Sequence, residues 1–116
     1  DAKTRIAEEP KTRFIDTTTL ALEIIAGENV GETITLQAGS YTFGRGRSAS
    51  IRLCDEAQSV SRMHFKIDVA SGKALIQDMD SLNGTLVNTA PIGEPTELAG
   101  GDCIGAGNIV LRAVYV

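Results

Sequence analysis

The residues best suited to chemistry lie between positions 44 and 88. Gly44-Arg45-Gly46-Arg47-Ser48-Ala49 satisfies G-x-G-x-x-G/A, the spacing of a dinucleotide-binding loop. Ser61-Arg62-Met63-His64 places a hydroxyl, a guanidinium and an imidazole in one short stretch. Asp80-Ser81-Leu82-Asn83-Gly84-Thr85 follows, its glycine able to take a positive φ at little cost, and Asn88 closes the run. Arginine offers a planar fork for phosphate oxygens, serine a compact donor, and asparagine an amide that reads a peptide backbone as donor and acceptor. From Gly44 to Lys66 five cations (Arg45, Arg47, Arg52, Arg62, Lys66) stand against two acids (Asp55, Glu56), inside a chain of formal charge −4. A basic island on an acidic chain points to a confined anion site.

The elements that must position these residues decide between chemistries. A dinucleotide loop feeds a helix whose N-terminus receives the pyrophosphate. Here the glycines lead into Ile51-Arg-Leu53, which alternates with period two as a strand does. The glycine spacing is therefore not a nucleotide cradle. The same alternation runs through Glu32–Leu36, Met63–Val69, Ala74–Met79, Thr85–Asn88 and Ile109–Val116, with Gly, Asn, Ser and Pro between the segments. Short strands at this spacing predict an all-β sandwich.

Catalysis finds little support. His64, the only histidine, would need a nucleophile and an orienting acid converging on it, and Ser61 on the same strand entry does not supply that geometry. Asp78 and Asp80 read as a strand end and its turn. One histidine and two cysteines without C-x-x-C spacing give no metal or cofactor signal. Cys54, at the exit of Ile51–Leu53, is expected as a small reduced residue near the core, and a reducing, cytoplasmic setting is expected with it. A pI of about 4.9 argues against nucleic acid, and no apolar run reaches the roughly 18 residues of a membrane span.

Gly44-Arg45, then Ser61-Arg62-x-His64, then Ser81-x-Asn83-Gly84-Thr85-x-Val87-Asn88, in this order and at these gaps, resembles the motif set of the forkhead-associated (FHA) domain. The resemblance covers residues 20–116. It implies a sandwich of about eleven strands, SMAD/FHA-like, whose loops at one end bind phosphothreonine in a partner protein downstream of a Ser/Thr kinase. By that resemblance Arg45 and Ser61 hold the phosphate, Arg62 adds charge or backbone contacts, and Asn83 hydrogen-bonds the peptide main chain. Gly44, His64, Gly84, Thr85 and Asn88 shape and brace the loops. Leu82 departs from the pattern, standing where the family often has Thr, and so removes one phosphate donor. Ser59 lies where some relatives carry a charged residue that reads the third position after the phosphothreonine. The alternative is a scaffold on the same fold that docks proteins without regard to phosphate.

Residues 1–19 are polar, mixed in charge and interrupted by Pro10, as a flexible arm or linker would be. They end in Asp16-Thr17-Thr18-Thr19. Some bacterial FHA proteins carry a threonine pair in such an arm, and its phosphorylation lets the domain clasp its own tail. Thr17, Thr18 and Thr19 are accordingly the candidate phosphoacceptors, against the simpler reading of incidental linker threonines.

Overall fold

Alternation decides which face of each segment is buried. In β1 (Thr19–Ala26) Leu20, Leu22 and Ile24 are buried, and in β11 (Ile109–Tyr115) Ile109, Leu111 and Ala113. The two pair antiparallel, Leu20 opposite Tyr115 and Ile24 opposite Leu111, before an irregularity between Ile24 and Ala26. The computed structural model describes residues 15–116, so residues 1–14 of the expected arm lie outside the described residues. Eleven strands and no helix occur among the described residues.

One sheet adds β2 (Thr33–Gln37) beside β1, and β10 (Cys103–Ala106), β7 (Thr85–Val87) and β8 (Ala90–Pro91) beyond β11. The second sheet runs β4 (Ile51–Arg52), β3 (Gly39–Gly44), β5 (Phe65–Ala70), β6 (Lys73–Asp78) and β9 (Thr96–Glu97). Every pairing is antiparallel except that of β3 with β4. Two-residue turns with both φ positive, Ser71-Gly72 and Asn88-Thr89, close the β5–β6 and β7–β8 hairpins. Such turns carry the twist that hairpin strands need.

The inward faces meet in one core that includes Leu20, Leu22, Ile67, Ile76 and Leu111. Phe43 and Phe65 stack in it at 4.6 Å between centroids, on strands that pair directly at these two residues. Each such side chain contributes about 1.5–3 kcal/mol by leaving water. Phe43 directly precedes Gly44, so the strand that delivers Arg45 is anchored in the core.

Three local expectations change. The paired part of Ile51–Leu53 stops at Arg52, because Leu53 turns into the core while its N–H donates to Gly44 O at 2.8 Å. Strand β5 starts at Phe65 rather than Met63, since the His64 ring is drawn inward to brace loops. Cys54 is exposed rather than near the core, Leu53 having taken the inward position; both cysteines are free. No helix among the described residues is long and apolar enough to cross a membrane.

Candidate functional site

Beyond Phe43 the chain lies against the residues that enter β5. His64 N–H donates to Phe43 O at 2.8 Å, Arg45 N–H to Ser61 O at 3.0 Å, and Gly46 N–H to Arg62 O at 3.0 Å. The approach is too close for side chains. A Cβ at Gly44 would stand 2.1 Å from Arg62 O, and one at Gly46 3.0 Å from the same atom. The two glycines are thus spaced to let the Ser61–Arg62 backbone lie across them, with Arg45 projecting between. Arg52 fixes Arg45 from the other side, donating from Nη2 at 2.9 Å and Nε at 3.3 Å to its carbonyl.

The segment between β6 and β7 is held at both ends and in the middle. Asp78 accepts from the Ser81 hydroxyl at 2.5 Å, the Ser81 N–H at 3.1 Å and the Thr85 hydroxyl at 2.7 Å. His64, fully buried, accepts the Ser61 N–H at Nδ1 (3.0 Å), which places its own ring proton on Nε2 for donation to Gly84 O at 2.8 Å. Gly84 takes φ +80°, a conformation costly for side-chain-bearing residues. Leu82 N–H donates to Ser61 Oγ at 2.9 Å, and Asn83 Nδ2 to Ser59 O at 2.9 Å. Burial pushes the Asp78 carboxyl up, but the hydrogen bonds from Ser81 and Thr85 outweigh it and hold the group below its ordinary value.

These contacts bring Arg45, Ser61, Arg62, Leu82 and Asn83 around one concavity of about 330 Å³, with Gln58, Ser59 and Val60 along its wall. Arg45 is half-buried, and its Nε is buried without a hydrogen-bond partner among the described residues. A guanidinium N–H removed from water and left unpaired is costly, by about 1–3 kcal/mol or more, and Arg45 itself lines the concavity, where an anion can meet its charge. Ser61 Oγ, having accepted from Leu82, keeps its proton to donate. Leu82 itself is 90% exposed.

The remaining candidates sit elsewhere. Thr85 is buried under the Asp78 carboxylate. Asn88 lies in the β7–β8 turn and braces it against β10, donating to Asp102 at 2.8 Å and accepting from Cys103 N–H at 3.0 Å. Arg47 is exposed. Thr17 and Thr18 directly precede β1 and Thr19 begins it, at the end of the sandwich away from this concavity. There Asp16 accepts from Ser71 N–H at 2.8 Å and from the Thr18 hydroxyl at 2.6 Å, while Gly72 N–H donates to Thr18 Oγ1 at 2.7 Å. The Thr18 hydroxyl holds the Asp16 carboxyl below its ordinary value.

Ser59 does not face the concavity with a free side chain. Its hydroxyl donates to Asp55 at 2.5 Å and accepts from Asn108 N–H at 2.8 Å, and its N–H donates to Asp55 at 2.8 Å. The Ser59 hydroxyl accordingly lowers the Asp55 carboxyl. Asp55, Asn108 and Arg52 are positioning residues that sequence reasoning passed over. Arg52 was visible as part of the basic island. Asp55 and Asn108, 53 residues apart, carry no pattern that links them.

A family model described as FHA domain matches residues 41–107. The chain is 42% identical over 97 residues to the FHA domain-containing protein FhaA of Mycobacterium tuberculosis, covering 82% of this chain and 18% of that protein. It is thus similar to a small part of a longer protein. A solved structure described as a structural and functional analysis of phosphothreonine-dependent FHA domain interactions is 36% identical, with a TM-score of 0.73 over 84% of this chain and 96% of that one. The FhaA FHA domain, crystallised with the intracellular domain of Rv3910, is 37% identical with a TM-score of 0.71, over 81% of this chain and 98% of that one. Motif order, strand architecture and sequence identity coincide, and the chain belongs to the FHA domain family.

Proposed function

We propose that this chain is a phosphothreonine-peptide-binding module that recruits Ser/Thr-phosphorylated proteins in kinase signalling, and that it acts by binding rather than catalysis. The observation that carries it is the convergence of Arg45 and a Ser61 hydroxyl with a proton to give on one concavity. Phosphothreonine bears close to two negative charges at neutral pH and three acceptor oxygens, which match these donors. Asn83, its amide held by Ser59 O, presents its side-chain oxygen to a peptide N–H, and Arg62 adds charge at the rim. His64 spends both ring nitrogens on backbone groups, which suits a brace and not a general base. Support also comes from the two related domains, one studied for phosphothreonine-dependent interactions and one crystallised with a partner's intracellular domain.

The rest of the assignment follows from this function. The partner is a phosphothreonine-bearing protein, phosphorylated by an upstream Ser/Thr kinase in an intracellular setting; Thr17, Thr18 and Thr19, at the opposite end of the sandwich, could serve as phosphoacceptors only for the site of another molecule. Residues 20–116 form the binding domain and 1–19 the arm leading to it. Charge-assisted hydrogen bonds of about 1.5–3 kcal/mol each, less the cost of ordering the peptide, lead to micromolar affinity, about −8 kcal/mol. Titration of one peptide as Thr, phosphoserine and phosphothreonine tests this, with binding expected for phosphothreonine and reduced at least about 30-fold by Arg45→Ala, a loss of about 2 kcal/mol. Equal affinity for the three peptides would overturn the proposal in favour of phosphate-independent docking.

A further inference from the structure

Leu82 is the most exposed large apolar side chain among the described residues, at 90%. Exposed leucines are common where the chain is loose, but here the backbone on every side is fixed. Its own N–H is held by Ser61 Oγ, Ser81 is capped by Asp78, Asn83 is tied to Ser59, and Gly84 is clamped by His64. No described residue covers it. A rigidly presented apolar group at the rim of a polar concavity gains free energy only from an apolar surface brought by a ligand, with little ordering cost on the protein's side.

The neighbours fix where that surface must come from. Leu82 adjoins Asn83, to which the proposed function gives the peptide backbone beside the phosphothreonine, and its N–H bonds Ser61, to which that function gives the phosphate. With a peptide so bound, the Leu82 side chain would stand within one residue of the phosphothreonine. The Gln58–Ser59 part of the wall does not offer a charge: the Ser59 hydroxyl is consumed by Asp55 and Asn108, and Gln58 is neutral. We infer that Leu82 is a specificity residue that selects an aliphatic side chain immediately next to the phosphothreonine. The inference rests on the phosphopeptide-binding function proposed above and names the class of peptide that site takes.

Aliphatic side chains at the flanking position are expected to be enriched about fivefold over polar ones, below the roughly tenfold that one methylene commands in an enclosed pocket, since Leu82 offers a single open wall. The test is an oriented phosphothreonine peptide library, with an unphosphorylated library alongside, applied to the intact chain and to Leu82→Met and Leu82→Asn, a polar side chain that adds no charge beside the phosphate. The position is solvent-exposed, so both variants fold, and a thermal melt verifies it. Aliphatic enrichment at one adjacent position in the unmodified chain and in Leu82→Met, lost in Leu82→Asn, supports the inference. Phosphate-dependent binding with no flanking preference, or an enrichment that survives Leu82→Asn, overturns it while leaving the module intact. An unmodified chain that does not discriminate the two libraries overturns the phosphopeptide function, and this inference with it.

Discussion

Gly44 and Gly46 bear on function through what they leave out. The Ser61–Arg62 backbone crosses them so closely that the methyl of an alanine at 44 would overlap Arg62 O, a backbone atom locked in a hydrogen bond to Gly46 N–H. A flexible side chain could yield; a paired backbone cannot do so cheaply. Gly44→Ala is expected to cost about 3 kcal/mol or more, the upper range for overpacking, and to separate Arg45 from Ser61. Gly46→Ala, with its nearest backbone contact at 3.0 Å, is expected to cost less. Chemical denaturation of the two variants measures this directly, and equal stability losses would show that the close approach at Gly44 relaxes freely. The dinucleotide-like spacing is thus the by-product of a packing requirement.

At the scale of the elements, the segment joining β6 to β7 behaves as a preformed platform. Asp78 holds its first residues and, through Thr85, the first residue of the strand that follows. The sign of its pH dependence follows from the hydrogen bonds it accepts as a carboxylate. Its folded-state value lies below the ordinary 3.8, so its stabilising contribution is complete above about pH 4 and is lost as pH falls through the lower, folded-state value. Asp16 and Asp55 are lowered in the same direction and add to the acid sensitivity. Asp78→Asn is expected to be less stable than the unmodified chain near pH 7 and to show a flatter decline of stability between pH 4 and 2. Parallel stability curves for the two proteins would remove Asp78 from the acid transition. Because Leu82 and Asn83 ride on this platform, acid should weaken ligand binding together with local stability.

On the scale of the whole molecule, a chain of net charge −4 carries Arg45 and Ser61, the groups proposed to face phosphate, on a basic segment. Two packed sheets make that distribution meaningful by fixing Arg45, Arg52 and Arg62 at one end, while Asp16 ties the entering chain to the β5–β6 turn at the other. The field at the site attracts an anionic peptide over a distance comparable to the Debye length, about 10 Å at 0.1 M salt. Raising salt from 0.05 to 0.5 M is expected to weaken phosphopeptide binding about threefold, chiefly through slower association. An unchanged association rate across that range would mean that contact alone, without steering, governs capture.

The sequence by itself determined most of the longer strands and the order of the motifs, because a side-chain period of two is a local property and a strand exposes it residue by residue; the two-residue β8 and β9 are too short to show a period. From it came the all-β sandwich, the rejection of a nucleotide loop, and the candidacy of Arg45, Ser61 and Asn83. Only the tertiary structure decided what surrounds them. Ser59 is bound to Asn108 from 49 residues away, Asn83 to Ser59 across 24, and Gly84 to His64 across 20. No local pattern encodes such pairings; they arise when strand register brings separate loops to one end of the sandwich. For the same reason the inward turn of Leu53 that leaves Cys54 exposed, the burial of Arg45 Nε without a partner, and the outward presentation of Leu82 were invisible until the two sheets closed on their core.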